Sequence, residues 1–105
     1  MADALARRGE WTPADLRLLT KHYLALLAER APGNSVEVRV PPYAAAQVVA
    51  GVRHTRGTPP AVVETDAETW IDLATGQLDW PTAVAGGRVR ASGERTDLGR
   101  HLPLI

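Results

Sequence analysis

Asp66-Ala67-Glu68-Thr69-Trp70-Ile71-Asp72-Leu73-Ala74-Thr75-Gly76-Gln77-Leu78-Asp79-Trp80 decides the reading of this chain. Asp66 has the short acceptor side chain that caps a helix start, and Gly76 can adopt the left-handed conformation that ends one. Between them lies a helix over 67–75. Asp79 is a second cap, with Pro81 near the first turn of a short helix. Gly86-Gly87 ends that helix. Arg88 to Ser92 then alternates, with Val89 and Ala91 directed inward, which is the pattern of a strand. On the other side of Asp66, Ala61 to Thr65 is a strand as well.

Further upstream, Val36, Val38 and Val40 alternate with Glu37 and Arg39. This strand has one dry face and one wet face, as in an antiparallel sheet covered on one side. Pro41-Pro42 breaks it, and Ala44 to Val49 reads as another strand. Thr12-Pro13-Ala14-Asp15 starts a long helix. Leu16, Leu19, Tyr23, Leu26 and Leu27 follow at helical spacing, and Pro32-Gly33 is the stop. Arg17, Lys21 and Glu29 fall toward water. Residues 1–10 show no clear pattern and are expected to fray. Thr96 or Asp97 starts a last helical turn that ends near Pro103. The order is helix, three strands, two helices, strand and short helix. It predicts an α+β, two-layer architecture: a mostly antiparallel sheet of about four to five strands, with helices packed on one face. The first three strands can be joined as a meander, although the loops leave the strand neighbours open.

Bulk properties narrow the function. The 105 residues are read as one domain, 1–105. Formal net charge is zero, and acids and bases are interspersed. Such a chain carries no basic footprint for nucleic acid. No apolar run reaches the ~18 residues of a membrane span, and the N-terminus lacks the apolar core of a signal peptide. A cytoplasmic protein is the expectation. Cysteine is absent, which removes disulfides and thiolate chemistry. His22, His54 and His101 have no metal-ligand spacing, so neither a metal nor a cofactor is expected. Ser35 and Ser92, the only serines, lack the surroundings of an activated nucleophile. An enzyme is not expected. Asp66 and Asp79 have sufficient roles as caps. Arg53, His54 and Arg56 form a polar cluster on a loop; they either hold a carboxylate or phosphate headgroup or remain solvated beside nearby acids.

From Val62 to Gly93 the order of strand, Thr-Asp, helix, Gly-x-Leu-Asp turn, second helix and Gly-x-Val-x-x-x-Gly strand resembles the closing segment of the sterol carrier protein type 2 family. The likeness extends from about Leu16 to the C-terminus. Val36-Glu37-Val38-Arg39-Val40-Pro41-Pro42 and His54-Thr55-Arg56-Gly57-Thr58-Pro59-Pro60 resemble, more narrowly, the small stand-alone sterol carrier family proteins of actinobacteria. The resemblance implies carriage of an apolar small molecule, such as a lipid, fatty acyl or sterol-like compound, without chemistry. It also implies a tunnel between sheet and helices lined by Leu19, Tyr23, Leu26, Val38, Val63, Trp70, Leu73 and Val89. Leu102, Leu104 and Ile105 would be its lid. The alternative is a protein-interaction module whose pocket has collapsed. An empty dry pocket of ~300 Å³ costs on the order of 7 kcal/mol at ~24 cal/mol per Å³, comparable to the stability of a small domain. A chain this short therefore keeps a ligand, opens its pocket to water, or fills it.

Overall fold

Strict alternation places Val36, Val38 and Val40 on one face of β1 (Val36–Val40), and all three are fully buried. Glu37 and Arg39 take the other face and pair with each other. A computed structural model of the chain describes residues 2–51, 61–93 and 96–105. Its sheet also contains β2 (Ala44–Val48), β3 (Ala61–Thr65) and β4 (Val89–Ser92), in the order β2-β1-β3-β4. β2 runs antiparallel to β1, and β4 antiparallel to β3. β3 runs parallel to β1, with Val36 opposite Ala61 and Val38 opposite Val63. The sheet is thus mixed and not a meander. The chain leaves β2 at one edge and returns on the far side of β1. A parallel neighbour needs such a long connection, and composition does not distinguish it from a long hairpin loop.

Two helices cover the dry face. α1 (Ala2–Ala6) is a short N-terminal helix of five residues, whereas α2 (Pro13–Arg30) has 18. Thr12 and Asp15 close a reciprocal capping box: the Thr12 hydroxyl accepts from the Asp15 N–H, and the Asp15 carboxylate accepts from the Thr12 N–H. α2 buries Leu19, Tyr23, Leu24 and Leu27. α3 (Ala67–Thr75) follows β3, capped by the Asp66 side chain and stopped at Gly76, whose φ is 81°. α3 buries Trp70, Ile71, Leu73 and Ala74. α4 (Trp80–Ala85) is capped by Asp79. A 3-10 turn, Gly99–His101, precedes the C-terminal residues.

Two expectations change. Residues 2–10, which show no clear pattern in the sequence, begin with the helix α1: Ala4 is buried, and its carbonyl accepts the Trp11 indole N–H at 2.7 Å. Arg7 pairs with Asp15, and Arg8 reaches the Asp72 carboxylate and the Thr75 hydroxyl of α3. A five-residue helix has little stability of its own; these long-range bonds hold it, and local pattern does not reveal them. Ala91 was expected to be inward and is exposed, while Val89 is half-buried. Both share a face with Val63 and Thr65, but β4 is the sheet edge. The buried cluster ends at Val63, with Val89 packed on its margin.

The C-terminal segment crosses the end of the helix layer. Leu98 and Leu104 are buried. The Leu104 N–H donates to the Ala74 carbonyl at 2.8 Å, and Arg30 donates to the Leu104 carbonyl. The segment thus connects the C-terminal ends of α2 and α3.

Candidate functional site

That crossing encloses an apolar cleft of about 180 Å³ between the end of α3, the start of α4 and the C-terminal segment. Three local features shape it. Gly76 turns the chain out of α3, leaving Leu73 on one wall and Leu78 on the next. Asp79 starts α4, which sets Trp80 and Pro81 at the rim. Gly99 lets the C-terminal segment come close to Trp80, since a Cβ on Gly99 would lie 3.1 Å from the indole Cδ1. Leu102 and Pro103 close the opposite wall. Asp79 is the one charged group among the lining residues, and its carboxylate is occupied by the Thr82 N–H at 2.8 Å. The Thr82 hydrogen bonds hold that carboxyl below the usual carboxylate range. The cleft offers hydrocarbon and an indole ring. Among the described residues that line it, none is a nucleophile, and the one carboxylate, Asp79, serves as the cap of α4.

Of the residues singled out in the sequence, Leu73 and Leu102 line this cleft. Leu19, Tyr23, Val38, Val63 and Trp70 are at most 1% exposed and fill the sheet–helix interface. Burial pushes the Tyr23 phenol pKa up. Leu26 and Val89 are half-buried and pack against that cluster. Leu104 is buried, and Ile105 is 64% exposed. Arg53, His54 and Arg56 lie outside the described residues. Leu78, Trp80, Pro81, Gly99 and Pro103 escaped the sequence reading because each has a local role as cap neighbour, turn or connector. The one signal among them was Trp80, an aromatic residue next to the Asp79 cap.

Other surfaces differ in kind. A cleft of about 250 Å³ lies beside Glu64, Asp66, Arg88 and Arg90. Burial there pushes the Asp66 carboxyl up. Hydrogen bonds from the Thr69 hydroxyl and N–H, with the charge of Arg88, outweigh it and leave the carboxyl below the usual range. Arg88 in turn donates to the Thr69 hydroxyl at 2.9 Å. This network anchors the β3–α3 turn. A larger hollow of about 760 Å³ is lined by Pro13, Ala14, Arg17, Leu18, Lys21 and His22. All six sit on α2, so among the described residues the hollow is the flank of a single helix. A fourth cleft, of about 280 Å³, is lined by Val49, Ala50, Asp97, Arg100 and His101. None of these four spaces is lined by Leu19, Tyr23, Val38, Val63 or Trp70. Among the described residues, no three His, Asp or Glu side chains gather as a metal site. No described helix is long and apolar enough to cross a membrane.

The described residues form an α+β domain, a mixed four-stranded sheet with helices packed on one face. Residues 13–104 match the family described as bacterial SCP ortholog, and the chain belongs to that family. Comparison with curated proteins gives no match.

Proposed function

We propose that the protein binds an apolar small molecule, of fatty acyl or sterol-like character, without transforming it. The observation that carries this reading is the hydrocarbon cleft between Leu73, Leu78, Trp80 and Leu102, in a chain of the sterol carrier family. The cleft is smaller than the ~300–1,000 Å³ of sites that enclose drug-sized ligands. It suits the end of a chain better than a whole lipid. Burying about six methylenes gains roughly 5 kcal/mol at ~0.8 kcal/mol each, and part of that offsets the freedom lost on association.

The test is displacement of a fluorescent fatty acid by lipids and by short polar metabolites. Lipids should compete and polar metabolites should not. Leu78→Asp and Leu102→Asp each place a carboxylate on the apolar wall and should weaken binding about tenfold or more. If folded parent protein shows no saturable binding up to about 1 mM, the ~4 kcal/mol level, the carrier reading fails and the interaction-module alternative takes its place.

A further inference from the structure

The Gly99–His101 turn separates two clefts. Gly99, Leu102 and Pro103 line the apolar one. Arg100 and His101 line the fourth cleft, with Asp97, Val49 and Ala50. One short stretch of chain thus has hydrocarbon on one side and a guanidinium with an imidazole on the other.

The far wall of this second cleft is held in place. Val49 has a φ of 67°, a left-handed conformation that costs a β-branched residue about 1–3 kcal/mol. Its N–H donates to the Ala31 carbonyl at 2.7 Å. Its carbonyl accepts from the Ser35 N–H at 3.1 Å and from the Ser35 hydroxyl. Opposite, the Asp97 carboxylate accepts the Gly99 N–H at 2.8 Å, which ties this acid to the turn's backbone. The ion pairs among the described residues join Arg7 to Asp15, Arg8 to Asp72 and Arg39 to Glu37. Arg100 takes part in none of them, and it is exposed.

We infer that the cleft at Arg100 and His101 receives the oxyanion headgroup, carboxylate or phosphate, of an amphipathic ligand whose apolar chain enters the neighbouring cleft across the turn. The inference rests on the apolar-ligand reading above. A guanidinium fork matches either oxyanion through two parallel hydrogen bonds, and an imidazole N–H adds a third donor. The headgroup also supplies what the small cleft lacks, a second contact beyond the chain end. Asp97 shares the site and opposes an anion, which gives the assignment a distinctive signature.

The experiment is calorimetric titration with octanoic acid, octyl phosphate, 1-octanol and inorganic phosphate. Either or both of the two anionic amphiphiles should bind about tenfold more tightly than octanol, and their order identifies the preferred headgroup. Arg100→Gln combined with His101→Gln should erase that preference and leave octanol affinity unchanged. Asp97→Asn keeps an acceptor for the Gly99 N–H and removes the competing charge, so the preference should widen. Thermal melts confirm that each variant is folded. Octanol binding as tightly as both anions would overturn the headgroup assignment alone. So would an equal loss for all ligands in the double variant. Inorganic phosphate binding as tightly as octyl phosphate would show that the octyl chain adds nothing, and would overturn the link between the oxyanion site and the apolar cleft. Failure of every ligand to bind the parent would overturn the apolar-ligand reading along with it.

Discussion

The Trp70 indole N–H donates to the backbone carbonyl of Thr20 at 3.3 Å, joining α3 to the middle of α2 inside the core. Trp70 is 1% exposed. One side chain therefore supplies both a large apolar surface and a satisfied polar handle. Trp70→Ala should cost about 3–5 kcal/mol in urea denaturation. Trp70→Phe should cost less, since it keeps much of the packing. A loss below about 1 kcal/mol for the alanine variant would contradict Trp70 as the core's main filler.

The same contact has a flaw beside it. The Thr20 hydroxyl is fully buried and has no hydrogen-bond partner among the described residues. A buried hydroxyl without a partner pays its desolvation and recovers nothing. Thr20→Val keeps the shape and should raise stability by about 1 kcal/mol. An unchanged or lower denaturation midpoint would show that the hydroxyl is satisfied in solution.

Asp15 links acid stability to the N-terminal helix. The Arg7 hydrogen bond, followed by the Thr12 N–H, holds the Asp15 carboxyl at about 2, against the opposite pull of burial. Its folded pKa lies below the ordinary aspartate value of about 3.9, so its stabilisation is complete above that value and is lost as pH falls toward about 2. Asp15→Asn should flatten the decline of the thermal midpoint across this window. An identical acid limb in variant and parent would show that Arg7 and Asp15 are not paired in solution.

Gly33 marks where two connections meet. Its φ is 149°, and a Cβ there would lie 2.2 Å from the Val49 carbonyl oxygen. Gly33→Ala must either push β2's end away or break its hydrogen bonds to Ala31 and Ser35. A cost of about 2 kcal/mol or more is expected in chemical denaturation, with slower exchange at the Ser35 amide lost. A neutral outcome would mean that this contact is loose.

Local rules reached the parts of this molecule that local chemistry decides. The valines of β1 announce their buried face, and Thr12, Asp66, Gly76 and Asp79 mark helix ends where the structure has them. The parallel pairing of β3 with β1 was not legible, since Ala61 and Val63 carry no mark of which neighbour they join. Nor was α1, which depends on Trp11, Asp15 and Asp72. The candidate site was legible in Leu73 and Leu102 as apolar positions. Their meeting with Trp80 depends on the return of the C-terminal segment to Ala74, and no spacing in the sequence encodes that return.

The three tryptophans give the most direct test of where a ligand sits. Trp80 lines the apolar cleft, Trp70 is in the closed core bonded to Thr20, and Trp11 is bonded to Ala4. Each indole N–H gives its own cross-peak in a nitrogen–proton correlation spectrum. During titration with a fatty acid, the Trp80 peak should shift in a saturable manner while those of Trp70 and Trp11 stay in place. A ligand that moves Trp70 and leaves Trp80 unchanged would put binding in the sheet–helix core and contradict the cleft as the site.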